Sequence, residues 1–343
     1  LMEECRAPVL EATARIDARI RRLFPFPLTA DQNRAVEEIC RDMGGGHPMN
    51  RLLQGDVGSG KTVVAEYAML LTVAHEHQAV MMAPTEVLAR QHAQTLERDL
   101  SESRVRIGLL TGSLPAARRR QMLEAIASGE VNLVVGTQAV VQEAVRFHRL
   151  GLVVIDEQHK FGVHQRATLR QAGMDPHYLV MTATPIPRTM SMTLFGDLDV
   201  STLRQGPPGR QAVHTYVAEA EQREQWWQFF RKKLTEGRQG FVIVPLVEEN
   251  SELQLAGADQ TCRRLREGEL QGFPIGLIHG GMAPAEKADA MQAFRRGTTR
   301  VLVATSVIEV GVDVANATLM TIEDGQRFGL AQLHQLRGRV SRG

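Results

Sequence analysis

Gly55-Asp56-Val57-Gly58-Ser59-Gly60-Lys61-Thr62 lies between an apolar run ending at Leu53 and another beginning at Val63. The octapeptide fits G-x-x-x-x-G-K-[ST], the phosphate-binding P-loop. Its three glycines permit the tight turn by which main-chain N–H groups converge on an anion at a helix N-terminus. We therefore expect the whole segment to bind a nucleoside triphosphate, with Lys61 on the β- and γ-phosphates and Thr62 on Mg²⁺. The alternative is a glycine turn before an ordinary helix.

A second motif, Asp156-Glu157-Gln158-His159, follows the apolar run Leu152–Ile155. In open α/β sheets, ligands bind at the carboxyl ends of the strands, which is where this motif would lie. We assign Asp156 to Mg²⁺, by way of water, and Glu157 to polarising the attacking water. Two acids after a strand can also be only a solvated strand end. The P-loop upstream favours hydrolysis of the triphosphate.

Composition sets the broad class. The chain has 343 residues, 43% hydrophobic and 23% charged, which predicts a globular protein of two or more domains. No apolar run approaches the ~18 residues that a membrane span needs. The three cysteines, Cys5, Cys40 and Cys262, are far apart, so a reducing cytoplasm is the simplest location. The net charge of +1 neither supports nor excludes a nucleic-acid partner.

The first half of the chain alternates between strand and helix patterns, which indicates an α/β fold with a parallel sheet covered on both faces. The strand candidates are 51–53, 79–83, 105–110, 131–135, 152–155 and 178–181. We expect a linker helix within residues 1–25, an ATP-binding domain over 26–205 and a second domain over 206–343. The chain starts at Leu1 and stops inside a motif-like stretch, so both ends look cut from a longer protein.

Residues 205–209, rich in glycine and proline, form the clearest break, after which the α/β pattern restarts without a P-loop. Strands are predicted at 239–244, 275–278, 301–304 and 318–322, and helices at 221–235, 260–267, 284–294 and 330–336. Two such lobes would form a cleft that opens and closes with nucleotide state.

Two clusters have competing interpretations. Trp226-Trp227 and Phe229-Phe230 could stack on bases, but adjacent aromatic residues in a helix more often pack in a core. The run Arg118–Arg120 is more typical of a solvated helix face than of a DNA contact.

The ordered motifs resemble those of superfamily 2 helicases, and most closely the RecG family. Leu28-Thr29-x-x-Gln32 is similar to the segment that reads adenine, with Gln32 contacting the base. Segments 83–92, 111–112 and 136–139 resemble loops that track a nucleic-acid strand, which implies contacts from Pro84, Thr85, Thr111, Gly112, Thr137 and Gln138. Segment 156–166, beginning with a DEQH box, is close to the family's hydrolytic motif, and residues 182–189 resemble the element that couples the ATP and nucleic-acid sites.

The second half extends the resemblance over segments 278–282, 304–314 and 327–339. It implies nucleic-acid contacts from His279, Gly280 and Thr305. Further implied roles are a ribose contact from Asp313, nucleotide contacts from Gln158 and His159, and γ-phosphate contacts from the arginine fingers Arg339 and Arg342. Arginines that merely cap the last helix are the alternative. Gly281 and Ser341 depart from the family pattern, which has Arg and Gly there.

The resemblance implies two tandem RecA-like domains, ATP and Mg²⁺ as ligands, and a 3′–5′ DNA helicase that remodels forks and Holliday junctions in repair and recombination. It also implies that flanking domains, absent from this sequence, select the branch. A transcription-repair coupling translocase is the nearest alternative. Gln158 and Gln165-Arg166 favour the RecG family. A non-hydrolysing nucleic-acid-binding scaffold is the alternative if the carboxylates or finger arginines do not contact the nucleotide. A metabolic kinase is disfavoured, because it would not need the second lobe.

Overall fold

A computed structural model describes residues 6–142, 144–156, 175–183, 198–204, 213–245, 251–305, 314 and 316–340. The chain divides into two compact units, residues 1–207 and 208–343. No helix within the described ranges combines the length and apolar character needed to cross a membrane.

The first unit alternates strands with helices. Its helices are α1 (Ala14–Arg21), α2 (Ala30–Met43), α3 (Lys61–Ala74), α4 (Glu86–Asp99) and α5 (Ala116–Ala127). Its strands are β1 (Asn50–Gly55), β2 (Gln78–Met82), β3 (Ile107–Leu110), β4 (Leu133–Gly136), β5 (Leu150–Asp156), β6 (His177–Thr182) and β7 (Asp199–Leu203).

These strands form one sheet in the order β3-β4-β2-β5-β6-β1-β7, and every pairing is parallel. All carboxyl ends therefore lie along one edge. The register pairs Asp156 with Met181 and Met181 with Leu53, so the end of β5 lies two strand spacings, roughly 10 Å, from β1.

Helix α3 forms the centre of the first unit because it is apolar on nearly every side. Residues 63–72 are all buried, including Glu66 and the completely enclosed Tyr67. The Tyr67 hydroxyl donates to Asp17 Oδ1 at 2.6 Å, and the Arg21 guanidinium lies 5.7 Å from the ring centre. The predicted N-terminal helix thus packs directly on the helix that carries Lys61 and Thr62.

The second unit contains α6 (Arg223–Thr235), α7 (Ser251–Glu267), α8 (Pro284–Arg295) and α9 (Leu330–Arg337). Strands β8 (Gln239–Val244), β9 (Ile275–Ile278), β10 (Val301–Thr305) and β11 (Ala317–Ile322) pair in parallel in the order β11-β8-β10-β9. The expected fold class, two α/β units with parallel sheets, is confirmed.

The aromatic residues of α6 serve mainly the core. Trp227 is 4% exposed and Phe230 is completely buried, and both pack with Leu234 and Val242. Phe229, in contrast, is 45% exposed. The core interpretation of the cluster is therefore correct for the two residues that point inward.

Two elements differ from the sequence prediction. Strand β7 was not predicted, because only two of its five residues are buried and the segment lacks an apolar run. It pairs with β1, and Arg51 crosses to its Ser201 at 2.9 Å. Helix α7 starts at Ser251, well before the predicted residue 260, since its first half mixes polar residues, two leucines, alanines and Gly257 without a clear helical periodicity.

Candidate functional site

The P-loop connects β1 to α3 with a backbone that needs glycine at several points. Gly58 and Gly60 have φ of +79° and +85°, the left-handed region that side chains disfavour. A Cβ on Gly55 would lie 2.6 Å from Ser59 Oγ. The turn is closed by the Ser59 N–H, which donates to the Asp56 carbonyl at 3.1 Å. The glycines that matched the motif are thus required by the conformation.

Lys61 and Thr62 open helix α3, as a phosphate site requires. Lys61 Nζ donates to the main-chain oxygens of Gly55 at 2.6 Å and Asp56 at 2.8 Å, so the ammonium lies over the loop. Ser59 Oγ is buried and has no hydrogen-bond partner among the described residues. A loop at a helix N-terminus that presents an ammonium group and an unsatisfied hydroxyl fits a phosphate group.

Gln32 ties helix α2 to this loop. Its Oε1 accepts from the Thr29 N–H at 2.8 Å, completing a capping box, and its Nε2 donates to the Ser59 carbonyl at 3.0 Å. Gln32 is only 2% exposed. Each end of the amide retains one further hydrogen-bonding position, so contact with a base stays a prediction.

Asp156 lies at the end of β5, half-buried, with a partner that sequence reasoning missed. Its Oδ2 is 2.7 Å from Nε2 of His92 in α4, and the two side chains are 14% and 12% exposed. His92 belongs to segment 83–92, which is predicted to track a nucleic-acid strand, but nothing in that segment indicates a contact with a carboxylate 64 positions away.

The predicted nucleic-acid residues of the first unit follow three adjacent strands. Pro84 and Thr85 come after β2, Thr111 and Gly112 after β3, and Thr137 and Gln138 after β4. The six residues therefore form three pairs along the same edge of the sheet.

The loops after β2 and β3 are joined by Glu86, which follows the N-cap of α4. Its Oε1 accepts from the Ser113 N–H at 2.9 Å, and its Oε2 accepts from the Ser113 hydroxyl. Thr111 is completely buried, with its hydroxyl 3.4 Å from that of Ser113, whereas Gly112 is exposed. In this loop Gly112 and Ser113 are exposed and Thr111 is not, so contact with a nucleic acid from Thr111 and Gly112 stays a prediction.

The second unit places its three predicted contact residues at the carboxyl ends of two adjacent strands, β9 and β10. β9 and β10 pair Ile278 with Ala304, and His279 and Thr305 come next. His279 Nδ1 and Thr305 Oγ1 are buried, without hydrogen-bond partners among the described residues. Gly280 is exposed, and its carbonyl accepts from Lys287 Nζ at 2.7 Å.

Arg339, just beyond α9, is 6% exposed. Five other predicted site residues lie outside the described part of the chain: Glu157, Gln158, His159, Asp313 and Arg342. Residues 184–189 of the predicted coupling element also lie outside it.

The pKa of one buried acid on α3, Glu66, lies far above the ordinary value for a glutamate. Burial, reinforced by the nearby Asp99 carboxylate, raises the pKa of Glu66 to about 8. Glu66 is 2% exposed, and its Oε1 has no hydrogen-bond partner among the described residues. The helix that begins with Lys61 thus carries a carboxyl group that is mostly neutral at pH 7.

Comparison with known families matches both halves of the chain. Residues 29–193 match the DEAD/DEAH box helicase model, and residues 223–343 match the helicase conserved C-terminal domain. The chain is 52% identical over 321 residues to the ATP-dependent DNA helicase RecG of Synechocystis sp., covering 94% of this chain and 39% of that protein. It is 46% identical to RecG of Bacillus subtilis, covering 95% and 48%.

A solved structure of RecG bound to a three-way DNA junction superposes with a TM-score of 0.83 at 40% identity. The match covers 98% of this chain and 44% of that one. The chain thus spans less than half the length of each of these relatives.

Proposed function

Because this chain belongs to the RecG family of superfamily 2 helicases, we propose that it is the motor of an ATP-dependent DNA helicase that remodels branched DNA such as forks and Holliday junctions. The proposal is of ATP hydrolysis coupled to 3′–5′ movement along DNA. We also propose a cytoplasmic location for the protein.

One observation carries the proposal, namely how the strand ends are grouped along the first sheet. β3, β4 and β2 are consecutive neighbours, and the residues proposed to contact DNA follow them. β5, β6 and β1 are the next neighbours, and Asp156 and the P-loop follow the two outer strands of this group. We therefore divide this edge into a nucleic-acid half, at the ends of β3, β4 and β2, and a nucleotide half, at the ends of β5, β6 and β1. The two halves meet between β2 and β5.

In the nucleotide half, we propose that the main-chain N–H groups of Gly58–Lys61 and the Lys61 ammonium bind the phosphates of ATP. The Thr62 hydroxyl and, through water, the Asp156 carboxylate would hold Mg²⁺, and Asp156 keeps an oxygen besides the one that faces His92. Mg²⁺, when bound, neutralises charge on the β- and γ-phosphate oxygens.

Three further residues are proposed for the hydrolytic step. Glu157 would accept a proton from the attacking water. Arg339 and Arg342 would stabilise charge on the γ-phosphate, since a planar guanidinium binds phosphate oxygens bidentately. Asp313 is proposed for a ribose hydroxyl, Gln158 for the nucleotide and His159 for the γ-phosphate.

For DNA, the proposed contacts come from loop backbone and polar side chains at the strand ends of both units, where Gly112, Gln138 and Gly280 are exposed and Thr111 and Thr305 are buried. Such groups bind the sugar-phosphate strand and carry little base information. A motor that steps along any sequence needs this kind of contact.

The test is ATP hydrolysis by the purified chain with no DNA, single-stranded DNA, duplex and a three-way junction, with Lys61→Ala as the control. We expect hydrolysis that DNA stimulates and that Lys61→Ala abolishes. Hydrolysis indifferent to every DNA would contradict a DNA motor, and binding of DNA without any hydrolysis would instead indicate a scaffold.

A further inference from the structure

A side-chain contact between His92 and Asp156 joins the two halves of the first sheet edge. Nε2 of the imidazole lies 2.7 Å from Oδ2 of the carboxylate, and each side chain is less than 15% exposed. An ionised carboxylate can only accept hydrogen bonds, so the imidazole must carry its proton on Nε2 and donate it. A short bond to a charged acceptor, shielded from water, is among the stronger hydrogen bonds in proteins.

His92 belongs to the nucleic-acid half. Helix α4 follows β2, and the Thr85 side chain caps its first turn by accepting from the Leu88 N–H at 3.5 Å. His92 lies about two helical turns beyond Thr85. Asp156 ends β5, the neighbour of β2. The contact therefore ties the carboxylate proposed for Mg²⁺ to the helix whose N-cap, Thr85, is proposed to contact DNA.

A carboxylate on a strand end can rotate about its side-chain torsions unless something holds it. His92 is the only described side chain for which a bond to Asp156 has been identified, and it leaves Oδ1 to accept from a metal-bound water. A hydrogen bond to a carboxylate orients it, and losing such a partner of a direct metal ligand typically lowers metal affinity by 10–100-fold. Because Asp156 is proposed to act through water, the lower end of that range is the expected size here.

We propose that His92 is a positioning residue that orients Asp156 for Mg²⁺·ATP. The inference rests on the proposed function, because it needs the metal–nucleotide site there. His92 does not touch the reacting atoms. Its effect is on how much Mg²⁺ is needed to bind the nucleotide, which is measurable without hydrolysis.

Three substitutions separate orientation from packing. His92→Gln can place an N–H donor near the position of the imidazole Nε2. His92→Leu fills a similar volume without a donor, and His92→Asn is polar but too short to reach Asp156. The third variant replaces the second if the leucine protein fails to fold.

The readout is the Mg²⁺ concentration that gives half-maximal binding of a fluorescent, non-hydrolysable ATP analogue, with thermal unfolding as the check on folding. We expect His92→Leu and His92→Asn to raise that concentration by about 10-fold. His92→Gln should return it to within about threefold of the unsubstituted protein, which a purely structural role does not predict.

Equal Mg²⁺ requirements for the unsubstituted and leucine (or asparagine) proteins, or a glutamine protein as impaired as they are, would overturn the inference. The Lys61→Ala protein distinguishes failure of the His92 inference from failure of the proposed function. If the unsubstituted protein itself binds the analogue without Mg²⁺ dependence, or no better than Lys61→Ala, the nucleotide site is wrong. If the unsubstituted protein binds the analogue with Mg²⁺ dependence and the Lys61→Ala protein does not bind it, the proposed nucleotide site is supported. The His92 variants then test the role of His92.

Discussion

Gln32 Nε2 lies 3.0 Å from the main-chain oxygen of Ser59, so the first turn of α2 holds the P-loop from one side. Gly60, the next residue, has φ of +85°, and a Cβ there would lie 2.1 Å from the same Nε2. The P-loop glycine and the glutamine ahead of it are therefore one structural unit, although 27 positions separate Gln32 from Ser59.

Gly60→Ala should prevent ATP binding, because the methyl group displaces the Gln32 amide and strains a left-handed residue. The strain alone costs about 1–2 kcal/mol. The matched control is Gly237→Ala, at φ of +91° with no atom within 4 Å of the added Cβ. Fluorescent-nucleotide titration and thermal unfolding of both proteins measure the effect. Equal nucleotide affinity in the two variants would contradict the role of the Gln32 contact.

Lys61→Ala should abolish turnover, because it removes the charge proposed to hold the β- and γ-phosphates. Glu157→Gln should preserve ATP binding and stop hydrolysis, since an amide is a poor proton acceptor. Binding by titration and phosphate release by a coupled assay distinguish the two. Near-normal hydrolysis by the Glu157→Gln protein would show that another group activates the water.

Arg339→Ala should slow hydrolysis far more than it weakens nucleotide binding. In GTPases, finger arginines raise the rate of hydrolysis by a factor of roughly 10³–10⁵, which is the largest loss to expect from Arg339→Ala. Because Arg339 is 6% exposed, the melting temperature of the variant must be measured alongside kcat and Kd. Equal losses of rate and affinity, with a lower melting temperature, would indicate a structural cap instead.

Glu66 predicts a pH dependence of stability. Its folded pKa of about 8 exceeds the ordinary 4.5, so the folded protein binds more protons than the unfolded one between these values. The stabilisation is fully present below about pH 4.5 and is lost as pH rises to about 8. Glu66→Gln cannot ionise, so its melting temperature should increasingly exceed that of the unsubstituted protein as pH rises through this window. Glu97→Gln, at an exposed position, serves as the matched control for the substitution itself. A pH-independent difference for Glu66→Gln would contradict the raised pKa.

The chain should bind fork and duplex DNA weakly and with similar affinity. The net charge is only +1, and the proposed contacts are mostly backbone and short polar groups that read phosphates. Binding of this type weakens steeply with salt. Titrations of a fork and a duplex of equal length at two salt concentrations test this. A strong, salt-resistant preference for the fork would place branch recognition within residues 1–343.

The local elements were largely predictable because their signals are local. The apolar runs before Gly55 and Glu157 became β1 and β5, and the P-loop pattern became a strand–loop–helix. Edge strand β7 was missed because pairing with β1 alone leaves much of it exposed. The burial of Thr111 was missed because its motif implied a contact with a nucleic acid, whereas in the fold its side chain is completely buried.

The sequence by itself determined the chemical groups available, the order of the strands along the chain, and the loop conformation that Gly58 and Gly60 require. Only the tertiary structure decided which strand ends are neighbours. Parallel strands can pair across any crossover, so the order β3-β4-β2-β5-β6-β1-β7 has no local signature. That order places β2 beside β5 and brings His92 within 2.7 Å of Asp156, joining the proposed DNA and ATP halves through a contact between residues far apart in the chain.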